Sequence, residues 1–282
     1  MMDLSVQEVV EKCPQFHSLP EIYNRLNAAI NNPHSSIRTV SDIISTDAGI
    51  SLKLLKLVNS AFYGYPSEID SISKAVVLVG TKQLRDLVLA TSVMRTFKNI
   101  PAELINLEDF WKYSISCGVG AKIMGFFMKE RNQERLFVSG ILHDVGRLVM
   151  LNAFPREMTT TINYAKDEKI PLIEAEKKFF GFDHAQVGNE LISLWNLPSC
   201  FNQVTAYHNR PLSSANFPKQ TSVIHIAEIL SHLMQHGFSG EYHAPKLSSK
   251  AWETAGLPNG IMNKVISQLD QQYHEVVNTL LN

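Results

Sequence analysis

The run from Leu136 to Met150, LFVSGILHDVGRLVM, is apolar except for Ser139, an adjacent His143-Asp144 pair and Arg147. A segment of this composition belongs in the middle of a core, as a buried helix. Taking an ionised carboxylate out of water costs several kcal/mol unless it is paired or coordinates a metal ion. Packing does not call for His143 and Asp144 there, so a metal site is the leading expectation. Gly140 lies one helical turn before His143 and Arg147 one turn after it. This would leave room and positive charge for an anionic group on one helix face. Alternatively, Arg147 simply pairs with a carboxylate elsewhere.

Elsewhere, apolar residues recur at helical spacing, as in Ile43, Ile44, Ile50, Leu54, Leu55, Leu57 and Val58, and alternating β-branched runs are scarce. The expectation is an all-α protein. SLPE at Ser18, NLPS at Asn196 and GLPN at Gly256 read as helix starts, with proline in the first turn. AVVLVG, residues 75–80, reads as a buried helix rather than a strand. A break at Asn99-Ile100-Pro101 divides the chain into an N-terminal helical part, 1–100, and a second part, 101–282, which holds eight of the ten histidines.

Composition bounds the function. With 282 residues, 45% hydrophobic and 19% charged, the chain can bury a full core. Its 26 basic and 27 acidic residues are interspersed, so no basic footprint for nucleic acid is present. Cys13, Cys117 and Cys200 are far apart and lack the spacing of a disulfide framework or a thiolate zinc site. No apolar stretch approaches a spanning helix and the N-terminal residues do not resemble a signal peptide, so the expected location is cytoplasmic, without a membrane partner.

Four further segments carry candidate chemistry. Asp183 in GFDHAQVG suits a helix N-cap, with His184 directly after it. His208 in TAYHNRP suits a helix C-terminus. Each histidine alone is ordinary, but with His143 and Asp144 they form the ligand set of an iron, manganese or zinc site. His225, Glu228 and His232 form one stripe of a helix, which is most often a solvated face. In NSAFYG, residues 59–64, Phe62 and Tyr63 read as packing anchors, or else as a surface for a partner.

Taken in order, SLPEIYNRL, TDAGISLKLLKLVNSAFYG, LVGTKQLRDLVLA, FWKYS, ILHDVGRLVM, FGFDHAQVGNELISLWNLP and YHNRP resemble the HDOD family. These proteins are bacterial relatives of the HD-domain metal-dependent phosphohydrolases. The resemblance covers roughly residues 15 to 235 and implies an all-α, HD-like bundle with an N-terminal helical subdomain packed on it. It also implies a binuclear ligand set. Asp144 would bridge, His184 and His208 would complete one metal, and His143 with a first histidine and a final carboxylate would complete the other. In this chain the first-histidine position is Tyr113 and the final carboxylate is Glu228. A phenol with a pKa of about 10 is a poor ligand near neutral pH. The expected cofactor is therefore at most about one divalent transition metal per chain. Two functions remain. One is a signalling or regulatory protein with a partly eroded HD site, holding one metal or a phosphorylated small molecule and working with other signalling proteins. The other is an active phosphohydrolase on a nucleotide or cyclic dinucleotide, with Asp144 and Arg147 in the catalytic roles. The GYP segment of the cyclic-dinucleotide enzymes has no counterpart after His208, where NRPLSSANFP stands.

Overall fold

A computed structural model describes residues 4–97, 100 and 105–282. These residues form helices and no strands. The break expected at 99–101 falls, apart from Ile100, outside the described residues. The N-terminal part contains α1 (Val6–Glu11), α2 (Glu21–Asn31), α3 (Ile37–Ser45), α4 (Ala48–Val58), α5 (Ile72–Val79) and α6 (Thr81–Thr96). Then follow α7 (Leu107–Phe127), α8 (Gln133–Leu142), α9 (Val145–Ala153), α10 (Pro155–Glu168), α11 (Leu172–Phe180), α12 (His184–Leu194) and α13 (Ser199–Tyr207). The chain continues through α14 (Pro218–Leu233), α15 (Ala251–Ala255) and α16 (Met262–Leu281).

Local chemistry sets these boundaries. Asp47 caps α4 by accepting from the Ile50 amide, and Asn106 caps α7 by accepting from Glu108 and Asp109. SLPE and NLPS do mark helix starts, although Pro20 and Pro198 stand at the N-caps of α2 and α13 rather than in the first turn. GLPN behaves differently. Gly256 ends α15 in the left-handed conformation, φ 69°, and α16 begins only at Met262. Residues 75–79 are helical, but Val77 and Leu78 are 64% and 51% exposed, so α5 is half-buried.

One continuous apolar core runs through both parts of the chain. Phe62 packs on Phe137 with ring centroids 4.9 Å apart. The Trp195 indole donates to the Phe16 carbonyl at 2.7 Å. Lys53 donates to the Leu280 carbonyl at 2.6 Å, and the Ala61 amide donates to Glu275 at 2.9 Å. Against the expectation that no stretch approaches a spanning helix, residues 133–153 are by length and composition apolar enough to cross a membrane, but 89% of the most apolar 18-residue window within them is buried within the protein. It is the core around which the other helices are arranged.

Candidate metal centre

The His-Asp pair does not sit inside a helix. His143 is the C-cap of α8 and Asp144 the N-cap of α9, so the apolar run is two helices meeting at the pair. The His143 ring contributes to the break, because its Nδ1 bonds the Gly140 carbonyl at 2.6 Å and competes with helical bonding there. The space expected beside Gly140 is also absent: a Cβ there would lie 2.5 Å from the Gly118 backbone, so α7 fills it. Gly146 does the same work between α9 and α12. Any side chain on it would collide with the His184 carbonyl and the Gly188 amide, and its bareness lets His184 reach the pair.

The imidazoles are oriented from behind. A carbonyl can only accept, so His143 Nδ1 at Gly140 and His208 Nδ1, 2.9 Å from the Thr205 carbonyl, carry protons. His184 Nδ1 lies 2.6 Å from the Glu176 carboxylate, which also accepts from the His184 amide at 3.0 Å. In all three rings Nε2 is the atom left facing inward, the usual arrangement behind metal-binding histidines. His184 Nε2 is 3.2 Å and His208 Nε2 3.4 Å from Asp144 Oδ1, and the two nitrogens are 3.3 Å apart. A tetrahedral ion with bonds of about 2.0 to 2.1 Å holds its ligands roughly 3.3 to 3.4 Å apart, so this triangle fits one face of such an ion. A second group of His143, Asp144 and Glu228 shares the aspartate, with its ligand atoms within 4.8 Å of one another. Thus His143, Asp144, His184, His208 and Glu228 are all brought together.

Arg147 is committed within the same cluster. Its Nη1 lies 2.9 Å from Asp144 Oδ2 and donates to the carbonyl and hydroxyl of Ser239 at 3.0 and 2.8 Å. The pairing anticipated with a carboxylate elsewhere is with the neighbouring Asp144. Asp183 caps α12 in a reciprocal box with Gln186, and its Oδ2 lies 3.3 Å from Lys177 Nζ. The stripe of His225 and Glu228 is not solvated, since these residues are 1% and 2% exposed; α14 turns it inward against α7 and α8.

Burial magnifies the electrostatics. It pushes Asp144 upward, but Arg147, His143 and His184 outweigh it and hold the carboxyl well below the usual range. Burial pushes His184 down, yet Glu176 and Asp144, against Arg147, raise it to about 10. The position between those two carboxylates draws a positive charge, met by a proton or by a metal ion. Burial takes His143 down to about 4, against the pull of Asp144. Glu228 is raised to about 7 by burial, with His208 opposing and Asp144 reinforcing the shift. Tyr113, whose ring lies 6.0 Å from that of His143, is raised well above 10 by burial and by Glu228 and Asp144. Its phenol stays protonated, and its hydroxyl has no hydrogen-bond partner among the described residues.

Glu176, Asn209 and Ser239 complete the cluster; Asn209 stands at the paired-histidine position of the family the sequence resembles, whereas Glu176 and Ser239 were not singled out from sequence. Glu176 stands eight residues before His184 on α11, next to Lys177 and Lys178, and only the fold turns it inward. Asn209 follows His208 in the chain, and its amide lies 2.7 Å from His208 Nε2 and 3.3 Å from His184 Nε2.

The HDOD domain family matches residues 16–211, and the chain belongs to that family. An uncharacterised protein of Treponema pallidum (strain Nichols) is 26% identical over 229 residues. That match takes in 80% of this chain and 43% of the relative, so the chain spans less than half of the relative's length. A solved HDOD domain protein of unknown function from Geobacter sulfurreducens shares the fold with a TM-score of 0.74 at 23% identity, covering 98% of both chains. A proposed phosphohydrolase from Shewanella amazonensis SB2B has a TM-score of 0.76 at 25% identity, covering 96% of this chain and 97% of its own.

Proposed function

We propose that this chain is a cytoplasmic regulatory HDOD protein whose HD centre holds one divalent transition metal without turning over a phosphoester. The observation that carries this reading is the closure of the centre around half a ligand set. His143, Asp144, His184, His208, Arg147 and Glu228 are each no more than 2% exposed, and a protonated phenol stands at the first-histidine position. A hydrolase needs a path for its substrate and a water activated by the metal.

Asp144, His184 and His208 would hold the ion. Asn209, whose amide lies against both His184 and His208, would supply a fourth donor through its carbonyl oxygen. The ion would supply a fixed positive charge between Asp144 and Glu176, the place where the structure already raises His184. Glu176 fixes the His184 ring, Thr205 fixes His208, and Gly146 permits the approach. A centre of this kind ties α9, α11, α12 and α13 together, so its loading is a signal that other signalling proteins can read from the bundle surface. Phosphate capture by Arg147 is disfavoured, because the guanidinium is already engaged by Asp144 and Ser239.

The second reading, an active phosphohydrolase, draws on the two ligand groups that share Asp144 and on the description of the Shewanella relative. Elemental analysis of protein prepared without added metal, together with turnover of a generic phosphodiester in manganese and in iron, separates the two. Up to one metal per chain and no turnover is expected. Two tightly held metals with hydrolysis would establish the phosphohydrolase instead. Tyr113→His combined with Glu228→Asp should raise the stoichiometry toward two, and an unchanged value in a folded double variant would remove the erosion argument.

A further inference from the structure

We propose that Arg147 is a cation built into the HD centre that competes with a metal ion for Asp144 and His184, and that its displacement is relayed to the strap of residues 236–249. The proposal rests on the one-metal reading given above.

The guanidinium reaches both partners of the expected ion and the strap at once. Nη1 is 2.9 Å from Asp144 Oδ2, and Nη2 is 3.3 Å from His184 Nε2, one of the atoms that would bind metal. Nε is 3.9 Å from Glu176 Oε1. At 2% exposure this charge is not screened by water, so a divalent ion on the neighbouring triangle meets it in a low-dielectric interior. Asp144 already divides its oxygens, with Oδ1 toward His184 and His208 and Oδ2 toward Arg147 at 2.9 Å and, farther off, His143 at 3.6 Å. An ion on Oδ1 withdraws charge from Oδ2 and repels the guanidinium together, so Arg147 loses its anchor as the metal gains one.

The opposite end of Arg147 holds the strap. Between α14 and α15 the chain crosses the centre, and the carbonyl and hydroxyl of Ser239 both accept from Nη1. The Phe238 amide donates to the Asp109 carbonyl at 3.0 Å, Glu241 accepts from the Leu172 amide at 2.8 Å, and the Ser248 amide donates to His225 Nε2 at 3.0 Å. Gly237 makes this crossing possible: at φ 77° its Cβ position would collide with the Asp109 carbonyl. The strap lies beyond residues 16–211, the part that matches the HDOD family. Beside it a partly open cavity of about 290 Å³, lined by Tyr113, His232, Ser239, Glu241 and Tyr242 among others, gives the strap room to shift. Metal loading and strap attachment are then reciprocal: whatever loosens one favours the other by the same factor.

The test uses the full chain and Mn(II) as the probe. Titration calorimetry on the wild type, Arg147→Gln and Ser239→Ala measures affinity, and hydrogen exchange of residues 236–249 with and without Mn(II) measures attachment. Arg147→Gln should bind the ion about tenfold or more tightly, Ser239→Ala a few-fold more tightly, and saturating Mn(II) should speed exchange in the wild-type strap. Equal or weaker binding by Arg147→Gln, with the wild type still taking one metal, would overturn the competition and leave the one-metal reading standing. Binding by Arg147→Gln but not by the wild type would uphold the competition and overturn the one-metal reading. Failure of every variant to bind would overturn both. If Arg147→Gln does not fold, Ser239→Ala and the wild-type exchange decide: unchanged affinity and an unaltered strap would refute the relay.

Discussion

Lys122 and Arg147 are both buried cations, 8% and 2% exposed, and the protein surrounds them with different chemistry. The Lys122 ammonium lies over the rings of Phe62 and Tyr63, 3.7 and 3.6 Å from their centroids. It donates to the Phe62 carbonyl at 3.3 Å and faces Glu134 at 3.7 Å. Around it the NSAFYG turn is well satisfied: Asn59 donates to the Leu55 and Ile69 carbonyls and accepts from the Ile69 amide, and Ser60 donates to Leu57. The Tyr63 hydroxyl is the exception. Around Arg147 the reverse holds. Among the described residues Glu228 Oε2 and the Tyr113 hydroxyl have no hydrogen-bond partner, while His143 Nε2, both Asp144 oxygens, Arg147 Nε and Glu176 Oε1 meet charged or imidazole groups at 2.9 to 3.9 Å without a well-formed hydrogen bond. Buried polar atoms left unpaired cost stability, so a cluster of them in a core points to a missing ligand rather than to packing. The comparison separates a cation that staples two parts of the chain from one that stands beside a binding site.

Two substitutions test that separation with the largest effects. Asp144→Ala leaves the guanidinium uncompensated and should cost ~3 to 5 kcal/mol while abolishing metal binding. Phe62→Ala removes a buried ring that packs on Phe137 and should cost a similar ~3 to 5 kcal/mol, with metal binding per folded chain unchanged. Urea unfolding and metal titration together check both. A loss of metal affinity in Phe62→Ala would mean that the staple and the centre are one unit.

A smaller effect sharpens the staple. Burial, opposed by Glu134, takes Lys122 down to about 8 from an ordinary 10.5. Between those values the unfolded chain binds the proton and the folded one does not, so the cost of burying the charge is present in full below pH 8 and is relieved toward pH 10.5. Wild-type stability should therefore rise relative to Lys122→Met over that interval, by up to ~3 kcal/mol. No relative gain would show that the rings of Phe62 and Tyr63 hold the ammonium protonated throughout. The smallest effect is expected at Tyr113→Phe, which deletes a hydroxyl without a partner. Its stability should lie within ~1 kcal/mol of wild type, and its metal stoichiometry should not change. A loss of metal would make the phenol a ligand.

Much of this was legible in the residues, for identifiable reasons. Helical spacing gave the all-α class, and the buried His143-Asp144 pair gave the centre, because an imidazole and a carboxylate inside an apolar run have few explanations. His184 and His208 became readable beside it as members of one ligand set. The helix break at the pair was not readable, since it depends on the His143 ring taking the Gly140 carbonyl. Nor was the inward face of α14, where His225 and Glu228 carry the polarity of a surface stripe but are covered by α7 and the strap. Glu176 and Ser239 stayed hidden because a single glutamate or serine has no spacing to betray it, and only tertiary contact gives it a role.

The central claim is a single metal site on the Asp144, His184 and His208 side of the centre. Anomalous diffraction from crystals soaked in excess Mn(II) tests it most directly. The account predicts one peak bounded by Asp144, His184 and His208. Two peaks about 3.5 to 4 Å apart and bridged by Asp144 would contradict it, as would no peak at all.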